Sequence, residues 1–294
     1  MKNKKSILIT GGAGFVGSNL IRFLLLKTKF HIISLDNYSS GSRKNHLKNS
    51  RVKYINGETK DIKKIIKRPK IIHSVFHFGE FARIYQSFLK MNECLDSNSI
   101  GTNAVFNYCL ENNIKLVYSA TSASLGNSGS DKNLSPYAFT KAKNLELLQN
   151  LKKWFKFKFE VIYFYNVYGP NQISTGSMAT VIGIFENQFK KNKPLTVVRP
   201  GNQTRRFTHI DDTIDACYLA WKRSKCKHYS ISNKNSYSIY QVAKMFKTKI
   251  KFVPKRPGER YASALTKISL NNKVHRYFGK IRLKDYINDF ITKN

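Results

Sequence analysis

Short apolar runs alternate with segments of helical periodicity along the first half of the chain. Six runs rich in Ile, Val, Leu and Phe have the length of buried strands, and most are separated by segments that can form helices. These runs are residues 7–10, 31–35, 52–55, 75–78, 115–119 and 161–165. The alternation predicts an α/β fold with a doubly wound parallel sheet, built with right-handed crossovers.

A glycine-rich turn joins the first strand run to the first helical segment. Gly12, Gly14 and Gly17 match the pattern G-x-G-x-x-G, which permits a tight turn and a close approach of the backbone to a pyrophosphate. The phosphates would lie at the N-terminus of the following helix, beside unpaired N–H groups and the positive end of the helix dipole. The cofactor-binding residues predicted at this turn are Gly11, Gly12, Gly14, Phe15, Val16 and Gly17.

The second and fourth strand runs both end at residues suited to ligand binding. Asp36 closes the second run about twenty residues past the glycines, where a carboxylate accepts hydrogen bonds from ribose hydroxyls. Its charge would repel a 2′-phosphate, so NAD is favoured over NADP. After the fourth run, Phe78 and Gly79 are expected to contact the cofactor, because ligands bind at the carboxyl edge of such sheets. Glu80 and Arg83 follow, and they either pair with each other or contact the substrate.

The stretch after the fifth run contains the most specific chemistry. Tyr137 and Lys141 stand four residues apart, and in a helix that begins near Pro136 they lie on one face. A phenol is a poor base at neutral pH, but an ammonium within about 4–6 Å favours its phenolate form. A hydroxyl such as that of Thr121 can orient a substrate alcohol. The pattern therefore predicts Thr121, Tyr137 and Lys141 as a catalytic group.

The charge of the chain is unusual for an enzyme. Its 294 residues include 52 Lys and Arg against 17 Asp and Glu, a net charge of +35. Such an excess, taken alone, suggests contact with nucleic acid or an anionic membrane. The lysines are spread over the whole length, however, and no nucleic-acid-binding motif accompanies them. Compositional drift, with a positive field that attracts an anionic nucleotide diphosphate, is the favoured interpretation, and nucleic acid is not expected as a partner.

The cysteines and the apolar runs exclude other classes of protein. The four cysteines form no C-x-x-C pair, so neither a zinc site nor a disulfide framework is expected. Too few residues separate the N-terminal lysines from the glycine turn for a secretory signal, and no apolar run is long enough to cross a bilayer. We expect a cytoplasmic protein without a bound metal and without membrane insertion.

These motifs resemble those of the extended short-chain dehydrogenase/reductase superfamily, in particular its NAD-dependent nucleotide-sugar epimerases and dehydratases. The resemblance extends over nearly the whole chain. It includes the glycine turn, Asp36-Asn37, Asn98 with Gly101-Thr102, the Thr121, Tyr137 and Lys141 set, and the segments 165–170, 204–212 and 256–259.

The resemblance implies NAD as the cofactor and a nucleotide-diphosphate sugar as the substrate. In such enzymes the Asn of the N-V-Y-G-P segment and two Arg positions hold the diphosphate, and the planar fork of arginine suits this task. Glu58 stands where the family carries Asp. The implied further cofactor residues are Asn37, Glu58, Asn98, Tyr137 and Lys141. The candidate substrate-binding residues are Glu80, Arg83, Thr121, Ser122, Asn166, Arg205, Arg256 and Ser263.

The resemblance also implies how the chain is divided and assembled. Residues 1–169 would form the NAD-binding Rossmann domain, to which residues 206–232 return. Residues 170–294 would mainly form a smaller lobe that binds the sugar nucleotide. Relatives commonly dimerise through two helices per subunit, including the helix with the catalytic Tyr, so a homodimer is expected.

The reaction implied is oxidation of the sugar at C4 by NAD, with Tyr137 as the base, to give a transient 4-keto sugar. Dehydratases and UDP-glucuronate decarboxylases carry Glu just after the catalytic Thr, whereas this chain has Ser122 and Ala123. This difference favours a 4-epimerase. Relatives restricted to glucose and galactose carry Tyr where Ser263 stands, so a UDP-hexose or a UDP-N-acetylhexosamine is the expected substrate.

The same motifs are compatible with other functions. The enzymatic alternatives are a 4,6-dehydratase, a keto-sugar reductase and an epimerase that acts at another carbon. The non-enzymatic alternative is a nucleic-acid or anionic-surface binding protein on a Rossmann scaffold.

Overall fold

Fourteen β-strands are present in the computed structural model, which describes residues 5–122, 132–255, 257 and 274–294. In chain order they are β1 (Ser6–Thr10), β2 (His31–Asp36), β3 (Val52–Asn56), β4 (Ile72–His77), β5 (Lys115–Thr121), β6 (Phe159–Phe164), β7 (Val167–Tyr168), β8 (Leu195–Val198), β9 (Thr204–Arg206), β10 (Thr208–His209), β11 (His228–Ser232), β12 (Ser236–Ser238), β13 (Ile250–Val253) and β14 (Val274–Phe278).

Eight of these strands form one large sheet in the order β14-β11-β6-β5-β4-β1-β2-β3. All neighbouring strands in it run parallel. The order reverses between β1 and β4, which is the topological switch point where open α/β sheets bind ligands. The predicted α/β fold is therefore confirmed, and the six predicted strand runs are β1 to β6, displaced by at most a few residues.

The helices alternate with the strands of the large sheet and continue after it. They are α1 (Phe15–Lys27), α2 (Ile62–Ile65), α3 (Ile84–Leu89), α4 (Met91–Leu95), α5 (Thr102–Glu111), α6 (Pro136–Phe155), α7 (Val181–Lys190), α8 (Ile210–Arg223), α9 (Ile239–Met245) and α10 (Leu283–Thr292). A π-helical segment, Asp96–Gly101, joins α4 to α5.

Two hydrophobic clusters cover the opposite faces of the sheet. Successive residues of one strand enter different clusters, as Ile7 and Leu8 do, because side chains along a strand alternate between its faces. Residues of α5 and α6 complete the cluster on one face, and residues of α1 and α8 complete the other. This three-layer packing is that of a doubly wound domain.

A third cluster lies in the second half of the chain. It joins α7, α9 and α10 to the strand pair β8 and β13, with Phe185, Phe207 and Phe246 among its buried side chains. Two strands from this half return to the large sheet: β11 pairs with β6, and β14 pairs with β11. The return of β11 falls within the predicted range 206–232, whereas β14 lies in a range that the sequence analysis assigned mainly to the lobe.

Candidate active site

The glycine turn connects β1 to α1 at the carboxyl edge of the sheet. Gly11 has a φ of +71°, and a Cβ there would lie 2.8 Å from the backbone of Phe78 and of Gly79. A Cβ on Gly17 would lie 2.1 Å from the carbonyl oxygen of Gly11. Side chains at these two positions would push the turn away from β4 and from its own helix, so the turn keeps its shape only with glycine.

The N-terminus of α1 has the properties of an anion site. Gly14 is the N-cap residue and has no side chain to accept the N–H groups of the first turn. That turn also contains no acidic residue. Unpaired N–H groups and the positive end of the helix dipole favour a phosphate here. These residues fit the pyrophosphate of a dinucleotide, and Gly11, Gly14, Phe15, Val16 and Gly17 would hold it.

Asp36 ends β2 beside this turn. Its two carboxylate oxygens accept hydrogen bonds from the backbone N–H of Ala13 at 2.9 Å and of Tyr38 at 2.8 Å. Burial raises the pKa of the Asp36 carboxyl, and these backbone bonds only partly oppose that effect. Next to it, Asn37 donates to the carboxylate of Glu58 at 3.1–3.2 Å. This end of the site therefore offers acceptors suited to ribose hydroxyls.

A cleft of about 510 Å³ extends from the glycine turn to the second half of the chain. Every predicted site residue that the structure describes lines it, apart from Gly12 and Asn98. These lining residues are Gly11, Gly14, Phe15, Val16, Gly17, Asp36, Asn37, Glu58, Phe78, Gly79, Glu80, Arg83, Thr121, Ser122, Tyr137, Lys141, Asn166 and Arg205.

Gly12 and Asn98 lie behind the wall of the cleft. A Cβ on Gly12 would be 2.3 Å from Ser34 Oγ, so this glycine allows the turn to pack on β2. Asn98 is fully buried, and its amide group exchanges two hydrogen bonds with the backbone of Phe81, at 2.7 and 3.0 Å. The Asn98 side chain thereby anchors the segment after β4, and its expected contact with the cofactor stays a prediction.

Two further substrate candidates cannot be placed. Arg256 and Ser263 lie outside the described residues. The role of Arg256 as the second Arg of the diphosphate site therefore stays a prediction. So does the role of Ser263 in admitting an N-acetyl group.

The catalytic group is organised by the start of α6, which begins at Pro136 as predicted. Ser135 caps the helix by accepting a hydrogen bond from Ala138 N–H at 3.1 Å. The Tyr137 N–H is itself held by Ser87 Oγ of α3, at 3.2 Å. Four residues further along α6, Lys141 also faces the cleft, and Thr121 reaches it from the end of β5. The structure thus brings the three predicted catalytic residues to one cleft.

Lys141 is held from two sides. Its ammonium donates to the carbonyl oxygen of Ser119 at 2.6 Å and to the carboxylate of Glu80. Among the 52 Lys and Arg, the described residues buried most deeply are Lys141 and Arg205, and both line the cleft. Buried cations are costly unless they are paired, and Lys141 is paired with Glu80.

Glu80 and Arg83 do not pair with each other. The Glu80 side chain is only 2% exposed and binds the Lys141 ammonium at the wall of the cleft, and its expected contact with the substrate stays a prediction. The guanidinium of Arg83 donates to the carbonyl oxygen of Met178 at 2.8 and 2.5 Å. Arg83 therefore ties the segment after β4 to residues 177–180, which line the cleft from the second half of the chain.

The distal end of the cleft contains the predicted diphosphate ligands. Arg205 lies on β9 and is 8% exposed. Asn166 follows β6 with a φ of +37°, and its amide donates to the carbonyl oxygen of Arg206 at 2.9 Å. Asn tolerates this left-handed conformation better than most residues. The bond joins the end of β6 to β9 and so places Asn166 and Arg205 on the same cleft.

Sequence reasoning missed Gln203. Its side chain is buried, lines the cleft and has an amide oxygen without a hydrogen-bond partner among the described residues. An unsatisfied buried acceptor is costly, which suits a position that a ligand donor completes. Gln203 directly precedes β9, and the signal available in the sequence is its spacing of two from Arg205, since residues two apart in extended chain share a face.

Comparison with known proteins identifies the family. The model of the "NAD dependent epimerase/dehydratase family" matches residues 7–232. The chain belongs to this family. NAD is the cofactor of its members, which confirms both the resemblance noted from the motifs and the cofactor inferred from Asp36.

Both dehydratases and epimerases of the family are similar to this chain. A dTDP-D-glucose 4,6-dehydratase of Dictyostelium discoideum is 28% identical over 82% of this chain and 61% of its own length. A putative UDP-glucose 4-epimerase of Methanocaldococcus jannaschii is 28% identical over 74% of each chain. The fold matches that of the UDP-glucose 4-epimerase of Thermotoga maritima, with a TM-score of 0.85 and 22% identity over 98% of this chain and 97% of that chain.

The described residues of this protein contain neither a cluster of metal ligands nor a membrane-spanning helix. In the described ranges, no three His, Cys, Asp or Glu side chains are grouped so as to hold a metal ion. No helix in those ranges has both the length and the apolar character needed to cross a membrane.

Proposed function

We propose that this protein is an NAD-dependent nucleotide-sugar 4-epimerase that acts on a UDP-hexose or a UDP-N-acetylhexosamine through a transient 4-keto sugar. The observation that carries the proposal is the set of carboxylates in the cleft. Among the described lining residues these are Asp36, Glu58 and Glu80. The first two lie beside the glycine turn, and the third is bonded to Lys141.

This distribution favours epimerisation over dehydration. Elimination of the 6-hydroxyl needs an additional acid or base beside the sugar. Dehydratases that this chain resembles carry an acid directly after the catalytic Thr, whereas Ser122 follows Thr121 here. Epimerisation at C4 needs only one base and a sugar that can rotate before it is reduced again. The residues at the catalytic end of the cleft suffice for this.

Each residue of the group has a distinct task. NAD, held by the glycine turn and Asp36, would supply the acceptor and the donor of the hydride at C4. Tyr137 removes the proton from the sugar 4-hydroxyl, and Lys141 favours the phenolate form of Tyr137 through its positive charge. Thr121 orients the same hydroxyl by hydrogen bonding. Asn166 and Arg205, with Arg256 in addition, bind the diphosphate, since the Arg fork pairs with two phosphate oxygens.

A 4,6-dehydratase is the second candidate. The similarity to the dehydratase of Dictyostelium discoideum favours it, and that relative is longer than the matched region. The epimerase of Methanocaldococcus jannaschii is equally similar in sequence. The chemistry of the cleft, rather than the degree of similarity, therefore decides between them.

The proposal includes a cytoplasmic homodimer and the predicted division of the chain. Apolar side chains are exposed on the helices that flank the cleft: Leu89 is 65% exposed, Ile100 58% and Phe139 43%. Exposed apolar groups gathered on neighbouring elements favour a subunit interface. Residues 1–169 with 206–232 would form the NAD-binding part, and residues 170–294 would mainly bind the sugar nucleotide.

The decisive experiment is a product analysis by proton NMR. The purified protein is incubated with NAD and, separately, with UDP-glucose, UDP-galactose, UDP-GlcNAc and UDP-GalNAc. We expect interconversion at C4 without net formation of NADH. A 4-keto-6-deoxy product would establish the dehydratase instead. Products from the N-acetyl sugars would show that the pocket at Ser263 admits the larger group.

Tyr137→Phe is the matched control for this assay. It removes one hydroxyl, and we expect turnover to fall by about 10² to 10⁴-fold, the usual contribution of a general base. NAD affinity, measured by calorimetry, should be nearly unchanged. A Tyr137→Phe variant with normal turnover would reject Tyr137 as the base.

A further inference from the structure

A buried carboxylate lies directly behind the catalytic group. The carboxylate of Glu80 accepts hydrogen bonds from Tyr118 Oη at 3.0 Å, from Thr102 Oγ1 at 3.1 Å and from the Asn144 amide at 3.3 Å. Its other oxygen accepts from the Lys141 ammonium. Four donors from β5, α5 and α6 thus converge on the two oxygens of one side chain.

The network continues from Glu80 to the glycine turn. Because Thr102 donates to Glu80, His77 Nε2 must donate to Thr102 Oγ1, at 3.0 Å, and His77 Nδ1 must accept from Thr10 Oγ1, at 2.6 Å. Thr10 Oγ1 in turn accepts from the backbone N–H of Gly79 at 3.1 Å. The chain of bonds connects the Lys141 ammonium to the last residue of β1.

The charges that face Tyr137 can be counted from each neighbouring element. Lys141 lies on the same helix, Glu80 and Arg83 follow β4, and Arg83 interacts electrostatically with Tyr137. On β5, burial raises the pKa of the Tyr118 phenol well above its ordinary value, so it stays neutral. Two further neighbours of Tyr137, Cys94 and His77, are neutral as well.

These two neutral groups lie on α4 and at the end of β4. Burial raises the pKa of the Cys94 thiol to about 11, and this side chain packs beside Tyr137. Burial lowers the pKa of His77 to about 4. At neutral pH the described surroundings of Tyr137 therefore contain two cations, Lys141 and Arg83, and one anion, Glu80.

We propose that Glu80 is a positioning residue, whose carboxylate holds the Lys141 ammonium in place and offsets its charge, and thereby sets the pH range in which Tyr137 acts as the base. The Lys141 and Glu80 side chains are 4% and 2% exposed, so solvent screens their interaction little. The inference rests on the proposed function, because it assumes that Tyr137 is the base.

Glu80→Gln tests the charge while keeping the shape of the side chain. Removal of the anion leaves two cations near Tyr137, so the group formed by Tyr137 and Lys141 loses its first proton at a lower pH. We expect the acid limb of the pH profile of kcat/KM to move down by about one pH unit or more. An acid limb at the wild-type pH would overturn the proposal, since a merely structural role predicts no displacement.

Glu80→Asp tests the position of the carboxylate. This variant keeps the charge but is shorter by one methylene, so it holds Lys141 less firmly. We expect kcat to fall at least about tenfold, with the acid limb less displaced than in Glu80→Gln. If Glu80→Gln does not fold, this variant carries the test, and an unchanged kcat would overturn the proposal.

Glu160→Gln is the matched control. Glu160 is fully buried in β6, lies 3.7 Å from the ammonium of Lys115 and accepts hydrogen bonds from two backbone N–H groups at 2.9 Å. Its partner Lys115 begins β5, so the pair lies at the amino edge of the sheet, away from the cleft. We expect its loss to lower stability and to leave the acid limb at the wild-type pH.

An ultraviolet titration of tyrosinate separates this inference from the proposed function. The spectrum of each protein is compared with that of its Tyr137→Phe counterpart, so the difference reports Tyr137 without any sugar substrate. We expect the difference signal to develop at a lower pH in Glu80→Gln than in the wild type. If it does so although no nucleotide sugar is converted, the effect of Glu80 on the ionisation of Tyr137 stands, whereas the proposed epimerase fails. An undisplaced signal rejects the role of Glu80 whatever the activity.

Discussion

Asp36 has a structural task and is predicted to bind the cofactor with the same side chain. Its carboxylate ties the glycine turn to the residue after β2 through Ala13 and Tyr38, and it lines the cleft. The same negative charge that accepts ribose hydroxyls disfavours a 2′-phosphate. Asp36 therefore shapes the turn and is also the residue predicted to set the preference for NAD.

Asp36→Ala should separate these tasks. We expect NAD affinity to fall more than NADP affinity, because only NADP gains from loss of the negative charge. The free energy of unfolding should also fall by about 1–3 kcal/mol, because two backbone N–H groups lose their acceptor. Calorimetric titration with each dinucleotide and urea unfolding measure the two effects.

Asp61→Ala is the control for this prediction. Asp61 has the same side chain, but it is partly exposed, pairs with Lys64 at 3.1 Å and lies outside the cleft. Its loss should leave the ratio of NAD to NADP affinity unchanged. An equal change of that ratio in both variants would mean that the net charge of the protein, rather than the position of Asp36, sets the preference.

At the scale of elements, the first turn of α6 positions the predicted catalytic residues. Ser135 caps the helix immediately before Tyr137, and Lys141 follows one turn later. A comparable Ser cap begins α9, where Ser238 accepts from Gln241 N–H at 3.0 Å and forms a capping box. The two caps have similar geometry, but only the first lies beside the catalytic residues.

Ser135→Ala should cost stability and activity together. Loss of an N-cap side chain lowers the free energy of unfolding by about 1 kcal/mol, and fraying of this turn displaces Tyr137, so kcat should fall as well. Ser238→Ala should cost a similar amount of stability with kcat unchanged. Urea unfolding and the epimerase assay compare them, and a normal kcat in Ser135→Ala would show that packing on α3 suffices to place Tyr137.

The elements also show how far local patterns predict the fold. Six of the eight strands of the large sheet, β1 to β6, follow from runs of apolar residues, and the start of α6 follows from Pro136. These are local signals. The short strand pairs of the second half, such as β9 with β12, have no comparable periodicity. Strands of two to four residues are stabilised by partners distant in the chain, so the sequence around them does not reveal them.

At the scale of the whole molecule, most of the positive charge is exposed to solvent, whereas two histidines are largely shielded from it. The described Lys and Arg residues are mostly exposed, so the +35 charge lies largely in water and affects association more than folding. His77 and His228, in contrast, are held neutral inside the protein. Burial lowers the pKa of each to about 4.

These two histidines make stability depend on pH. The unfolded chain binds a proton at each His near its ordinary pKa of 6.5, whereas the folded chain does so only near 4. Stability is therefore complete above pH 6.5 and is lost as the pH falls towards 4. The loss is about 2–3 kcal/mol for each histidine.

His228→Gln should reduce this dependence. His228 Nε2 lies 2.7 Å from the amide nitrogen of Gln149, and His228 Nδ1 lies 3.0 Å from Tyr163 Oη. A glutamine at this position can partly replace these hydrogen bonds. Between pH 7 and pH 4 the unfolding free energy should fall less in this variant than in the wild type. We expect the difference to equal the contribution of one histidine, about 2–3 kcal/mol. Urea unfolding at several pH values measures it, and an equal decline in variant and wild type would show that His228 is already charged in the folded protein.

The sequence by itself determined the α/β fold, the glycine turn, the NAD preference expected from Asp36 and the spacing of Tyr137 and Lys141. These properties depend on residues close together in the chain, where helical and strand periodicity set which side chains share a face. The family match over residues 7–232 confirms the fold and the cofactor deduced in this way.

Only the tertiary structure decided what surrounds the catalytic lysine. Glu80 and Lys141 are 61 residues apart in the chain, and nothing near either of them indicates the other as its partner. Asn98 likewise binds Phe81 because the π-helical segment packs under the loop after β4. A buried charge or amide must be satisfied by whatever group the fold brings to it, so these roles depend on packing between distant segments.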